Sequence, residues 1–262
     1  MASVTNVLDY LCEFAPISLK KSTDNVGFLV GCQNRTVSKI LVSLDITDEV
    51  ISEAIDIGAN LIVSHHPVLF SLTSITDLDL IGSRVLKLIE NGIAAICMHT
   101  NLDATHGGVN DALAEVIGIN SPTPFIEVGK ATDEDLSYGR YGFIAGPRNI
   151  CDFADDVKKA LGANGLRYYD AGREVSKVGV SGGSGGIELE YALREDCDTF
   201  ITADIKYSLF LEAKEVGINL IDAGHYPTEN VIVPVLTDKL STRFPEIEVI
   251  LSKKHTQIIN FL

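Results

Sequence analysis

Tryptophan is absent from the 262 residues, methionine occurs twice, and basic residues are scarce. Lys and Arg number 21 against 36 Asp and Glu, for a formal net charge of −15. A field of that sign repels phosphodiester backbones and anionic bilayers, so long nucleic acid is not an expected partner. No stretch approaches the ~20 apolar residues that a membrane helix requires. Met1-Ala2-Ser3-Val4-Thr5-Asn6 has no basic segment leading into an apolar run, so no signal peptide is expected. The five cysteines, at 12, 32, 97, 151 and 197, are odd in number, scattered and without a Cys-x-x-Cys pair. Reduced, mostly buried thiols in a cytoplasmic protein are the expectation, and Cys97 reads as core packing.

What is present is an alternation of short apolar runs with helical periods. Val7, Leu8, Leu11 and Phe14 predict a helix from Val4 to Phe14, closed by Pro16. Lys39 to Ile46 reads as a strand, Thr47 as the N-cap of a helix carrying Asp48 and Glu49 at its positive end, and Leu61 to Ser64 as the next strand. That β-α-β unit predicts a parallel pair. Similar alternation runs to the C-terminus, where Val249–Leu251 and Gln257–Phe261 read as strands. Ser121-Pro122-Thr123-Pro124 is the best linker candidate, and it divides the chain into residues 1–122 plus 230–262 and residues 123–229. The pattern predicts α/β layers with helices covering sheets.

One stretch repeats. Glu53-Ala54-Ile55-Asp56-Ile57-Gly58-Ala59-Asn60-Leu61-Ile62 aligns without a gap on Glu212-Ala213-Lys214-Glu215-Val216-Gly217-Ile218-Asn219-Leu220-Ile221. In each copy a helix ends at a glycine, a short strand follows, and histidine and proline come after it: His65-His66-Pro67 and His225-Tyr226-Pro227. Core packing gives no reason for histidine to recur there. A third strand end carries His99 and Asp103, and Glu229 lies one helical turn beyond His225. Three strand ends bearing imidazoles and carboxylates form one mononuclear set with ligands left over, or a dinuclear set with a bridging carboxylate. Nitrogen and oxygen donors without thiolates suit Zn, Fe, Mn, Ni or Co and argue against a structural zinc knot. Asp45, His99, Asp204 and Lys206 are candidates for supporting or proton-transfer roles, while His106 and His255 read as solvated or locally bonded. Ser181-Gly182-Gly183-Ser184-Gly185-Gly186 fits the spacing of a nucleophile elbow around Ser184, or a loop open to a phosphate or another backbone.

Asp24-Asn25-Val26-Gly27, Ser64-His65-His66-Pro67, His99-Thr100-Asn101-Leu102-Asp103 with Gly107-Gly108-Val109-Asn110, Thr202-Ala203-Asp204-Ile205-Lys206-Tyr207 and Gly224-His225-Tyr226-Pro227-Thr228-Glu229 occur in that order. In this the chain resembles the Nif-three-like dinuclear metal-centre proteins, often called GTP cyclohydrolase 1 type 2 homologues. Two positions depart from the family's habit: Thr23, often aromatic, and Ser208, often histidine. The resemblance implies two interleaved α/β domains with mixed sheets flanked by helices, and a toroidal homohexamer. It also implies two divalent ions per chain, one on His66 and Asp103, the other on His65 and His225, with Glu229 bridging. His99 is then a candidate catalytic group. Metal-dependent hydrolysis of a nucleotide is the expected function, and a non-catalytic metal-binding or regulatory scaffold is the alternative.

Overall fold

The structure, a computed structural model, describes residues 2–71, 74–130 and 138–262. It divides into two compact units, Met1–Thr105 with Val233–Thr256, and His106–Ile232 with Gln257–Leu262. The first unit contains α1 (Val4–Phe14), β1 (Gly27–Val30), β2 (Lys39–Ser43), α2 (Asp48–Ile57), β3 (Leu61–Ser64), α3 (Leu80–Glu90), β4 (Ala94–Cys97) and α4 (Thr100–Ala104). The second contains α5 (Val109–Val116), β5 (Asn120–Pro124), β6 (Arg140–Arg148), α6 (Ile150–Ala160), β7 (Arg167–Tyr169), β8 (Val175–Val180), α7 (Leu189–Arg194), β9 (Thr199–Thr202), α8 (Tyr207–Val216), β10 (Asn219–Asp222) and α9 (His225–Glu229). The chain returns to the first unit along α10 (Ile232–Arg243) and ends its regular structure in β11 (Glu248–Leu251).

The first sheet runs β1-β4-β3-β2-β11, with β4, β3, β2 and β11 parallel and β1 antiparallel at one edge. Leu41, Ile62, Val50, Ile51, Leu88 and Ala95 join sheet and helices in one core. The strands β3 and β4 are buried along their whole length, as parallel strands covered on both faces must be. This topology decides where polar residues can gather. The carboxyl ends of four strands and the amino end of the reversed β1 lie along one rim. The segments carrying His255, Asp45, His65-His66 and His99 leave the sheet there, and Asp24 arrives there.

The second sheet runs β5-β6-β8-β9-β10-β7, with β8, β9 and β10 parallel and the outer strands antiparallel. Neighbouring residues point to opposite faces, so Ile201 and Ile221 pack with Phe153 and Val157. Phe200 and Leu220 pack with Leu189 and Ala213. Two mixed sheets flanked by helices are the architecture expected from the sequence.

The internal repeat is physical. α2 and α8 both close on a left-handed glycine, Gly58 at φ +70° and Gly217 at φ +72°, a conformation open to glycine without penalty. Asn60 then accepts hydrogen bonds from the N–H groups of Ser38 and Lys39, and Asn219 accepts one from Ala171. Each asparagine pins its strand to the adjacent chain just before the strand runs out to its histidine.

Two expectations fail. Ser121–Pro124 is not a linker but part of β5, paired with β6; as an edge strand it tolerates prolines that donate no ladder bond. The two compact units change over at Thr105/His106, Ile232/Val233 and Thr256/Gln257, where the sequence suggested residues 122/123 and 229/230. Residues 257–261 form no strand. The N–H of Ile259 turns to the side chain of Gln257, and the carbonyl of Ile259 accepts from Asn164, so no ladder partner is engaged. Among the described residues no helix is long and apolar enough to cross a membrane.

Candidate metal centre

In the first unit the strand β3 ends at Ser64, whose hydroxyl donates to the carbonyl of His66 at 2.8 Å while its own carbonyl accepts from Met98 N–H at 2.9 Å. The His66 N–H donates to the Leu44 carbonyl at 2.8 Å. The histidine pair is therefore fixed at its main chain to both neighbouring strands. The ligand-type nitrogens of His65, His66 and His99 lie within 4.8 Å of one another. His65 is buried, and its Nε2 lies 3.5 Å from Oδ1 of Asp103, which α4 presents from its last turn.

What stands behind each ring is as informative as the cluster. Nδ1 of His65 lies 2.9 Å from the Met98 carbonyl, an oxygen that only accepts, so Nδ1 carries the proton and Nε2 is left as the donor of a lone pair. Nδ1 of His66 lies 2.8 Å from Asp45. Nδ1 of His99 lies 2.9 Å from both oxygens of Asp24. Burial by itself would raise the Asp24 carboxyl, but hydrogen bonds from His99 and from Thr100 outweigh it and hold the group well below the usual carboxylate range. Asp45 is held low against its own burial in the same way, by His255 and His66. Both carboxylates are thus ionised and accept a hydrogen bond from Nδ1–H.

The second unit repeats the device. His225 opens α9 after Gly224, and its Nδ1 lies 2.7 Å from Asp204 while its Nε2 lies 2.9 Å from Oε2 of Glu229. The i, i+4 spacing read from the sequence does put both side chains on one side. Asp204 adopts φ +55°, a left-handed conformation that aspartate tolerates better than most residues. Thr228 donates its hydroxyl proton toward the Gly224 and His225 carbonyls and accepts from Gly183 N–H at 3.0 Å.

The glycine-rich loop serves this pair. The N–H groups of Gly182, Gly183 and Gly185 donate to Asn110, Thr228 and Thr202, so those amides are turned to the protein and not to a phosphate. A Cβ on Gly183 would stand 2.0 Å from Oε1 of Glu229; the glycine is there because the loop lies on the carboxylate. Ser184 is exposed, and both ring nitrogens of His225 face carboxylates, which leaves that histidine badly placed to serve a nucleophilic serine.

The donor chemistry fits divalent transition metals. Four imidazoles present Nε2 with Nδ1 anchored on oxygen, the arrangement characteristic of metal-bound histidine. Cys97 is not a competitor: its thiol, pushed well up by burial, donates to the His65 carbonyl at 3.0 Å. Of the residues expected from the sequence, His65, His66, His99 and Asp103 are gathered in the first unit, and His225 and Glu229 in the second. Lys206 makes no such contact among the described residues, and His106 is exposed, 4.0 Å from Asp111. The sequence reading had no way to assign Asp24 to His99 or His255 to Asp45, because each pair is joined only through strand order.

The profile of the Duf34/NIF3 (NGG1p interacting factor 3) family matches residues 2–258. A protein of Clostridium perfringens named GTP cyclohydrolase 1 type 2 homolog is 33% identical over 262 residues, covering 99% of each chain. One of the same name from Clostridium acetobutylicum is 36% identical over 239 residues, 90% of this chain and 89% of the other. The crystal structure of a Bacillus cereus protein related to NIF3 superposes with a TM-score of 0.91 at 22% identity, over 100% of this chain and 99% of that one. That likeness is one of fold.

Proposed function

The chain belongs to the Duf34/NIF3 family, and we propose that it binds two divalent transition-metal ions and hydrolyses a nucleotide. His66 and Asp103 would hold one ion and His65 and His225 the other, with Glu229 shared between them. The observation that supports the reading is the anchoring of Nδ1 of His65, His66 and His225 on oxygen, which leaves the Nε2 of each as the nitrogen for a metal ion. Bound divalent ions supply a Lewis acid and a water activated at neutral pH. The chain's own residues do the rest. Asp45, Asp204 and the Met98 carbonyl set the tautomers of the ligand histidines. His99, with Asp24 behind it, holds a proton-carrying ring beside them and is the candidate general acid or base.

A planar heterocycle as substrate is supported by Phe70. Its ring is 61% exposed, and its centroid lies 6.0 Å from that of His99, so it offers a stacking face next to the imidazoles. The name carried by the clostridial relatives points to GTP, and the acidic balance of the chain favours a mononucleotide over a polymer. The amides of Gly182, Gly183 and Gly185 are taken by Asn110, Thr228 and Thr202 and offer a nucleotide phosphate nothing. Five free cysteines suit the reducing cytoplasm, and the resemblance supports assembly as a homohexamer.

Elemental analysis of gently purified protein, paired with a nucleotide and phosphodiester panel, tests the proposal. About two transition-metal ions per chain are expected, at least one of them lost in His65→Ala, with turnover of a purine nucleotide in the loaded wild type. Protein that cannot be loaded refutes the metal site. Loaded protein inert across the panel refutes the hydrolase and leaves the metal-binding scaffold.

A further inference from the structure

His255 is remote in sequence from every motif, yet its ring joins the row of polar groups on the rim of the first sheet. Its Nε2 lies 3.0 Å from Oδ2 of Asp45, while Oδ1 of the same carboxylate lies 2.8 Å from Nδ1 of His66. The His255 side chain is only 10% exposed. The row follows strand order: β11, β2 and β3 are parallel neighbours, and His255, Asp45 and His66 come from the segments that follow them.

A buried carboxylate builds the turn that brings His255 there. Glu53, on α2, accepts from the Ser252 hydroxyl at 2.5 Å, from Lys253 N–H at 2.9 Å and from Lys254 N–H at 3.3 Å. The Ser252 oxygen in turn accepts from His255 N–H at 3.3 Å. Ser252 N–H continues the β11–β2 ladder by donating to the Val42 carbonyl at 2.8 Å. Burying an acidic group is costly unless its oxygens are satisfied, and among the described residues the side-chain bonds Glu53 accepts come from this one turn. An apolar residue would serve the core at that place without the cost. The glutamate is explained by the turn it maintains.

Resting on the metal-binding reading above, we propose that His255 is a positioning residue for the ligand His66, held in place by Glu53 and Ser252. A carboxylate bonded through one oxygen can pivot about its Cβ–Cγ bond. The bond from His255 to the opposite oxygen stops Asp45 from turning, and Asp45 then keeps the His66 ring oriented with Nε2 toward its ion. Partners behind a ligand histidine change metal affinity by about 10–100-fold.

The test uses full-length protein stripped of metal and titrated with Co²⁺ against a competing chelator, with the visible cobalt spectrum recorded. His255→Leu and His255→Gln both keep bulk at the buried position, but only glutamine can donate to Asp45. His255→Leu is expected to weaken one of the bound ions about tenfold and to shift its spectrum, and His255→Gln to restore both. Ser252→Ala, which loosens the turn without touching Asp45, is expected to weaken the same ion and stands in for His255→Leu should that chain not fold. Wild-type affinity and spectrum in the leucine variant, or in Ser252→Ala where that is the variant measured, overturn the proposal, as does equal weakening in the leucine and glutamine variants, which marks simple packing. Wild-type protein that takes up no Co²⁺ defeats the metal reading first and this proposal with it.

Discussion

Replacing Gly183 with alanine separates the folding role of the glycine loop from the role it would have at the proposed metal centre. A Cβ there would lie 2.0 Å from Oε1 and 2.9 Å from Cδ of Glu229, and 3.1 Å from Nε2 of His225. Ordinary contact between such atoms is about 3.5 Å, so the carboxylate must retreat by more than ~1 Å. The side chain of Glu229 is flexible, and it can do so by rotating. The backbone at φ +61° adds a left-handed strain of about 1–2 kcal/mol for a residue with a Cβ. The cost to folding is therefore modest, whereas an ~1 Å error in a ligand is severe. Gly172→Ala is the control, because φ is +75° and nothing lies within 4 Å of its Cβ. Melting in EDTA should show both variants destabilised by a similar ~1–2 kcal/mol. Co²⁺ titration should show a loss of about 10–100-fold in one ion for Gly183→Ala alone. Wild-type metal binding by Gly183→Ala, or equal losses in the two variants, would refute the packing of this loop on Glu229 as the reason for its glycine.

Further outcomes follow from the same geometry. Alkylation of native protein should label the exposed Cys32 and Cys151 and spare the buried Cys97 and Cys197 until denaturant is added; early labelling of Cys197, whose thiol burial pushes up to about 12, would contradict the core as described. The folded Cys197 value lies above the unfolded one, so its contribution to stability is whole below the ordinary thiol pKa of ~8.5 and is lost as pH rises toward that higher value. Asp24 and Asp45 lie on the other side: held low, they contribute stability above the ordinary carboxylate pKa of ~3.9, lost as pH falls through their depressed values. Metal-free Asp45→Asn should then show a shallower acid limb of melting temperature below about pH 4 than wild type, and equal limbs would deny the pairing. Arg140, fully buried, donates through Nε to Asp111 at 2.6 Å and through Nη1 to the Tyr138 carbonyl; Arg140→Ala should cost about 3 kcal/mol by chemical denaturation, and a loss under ~1 kcal/mol would show the pair to be dispensable. Light scattering should give six times the 28.3 kDa chain mass if the hexamer forms, and a monomer would remove it.

The sequence by itself determined the elements and the chemistry available to them. Periodicity, a capping Thr47 and glycines at 58 and 217 specify helices and strands locally, because capping and side-chain alternation act within a few residues. The repeat singled out His65, His66, His225 and Glu229 for the same reason: it places ligand-type residues at equivalent strand ends. Tertiary structure alone decided the partners. Asp24 reaches His99, and His255 reaches Asp45, only because β1 reverses beside β4 and β11 pairs with β2. Strand order is set by non-local packing that no window of sequence records. The same holds for the two misread segments. Residues 121–124 became a strand because β6 offered an edge, and residues 257–261 did not because no open edge was engaged. The glycine loop shows the limit most plainly: its composition allowed a phosphate, and the neighbours that occupy its amides, Asn110, Thr202 and Thr228, come from three separate stretches of chain.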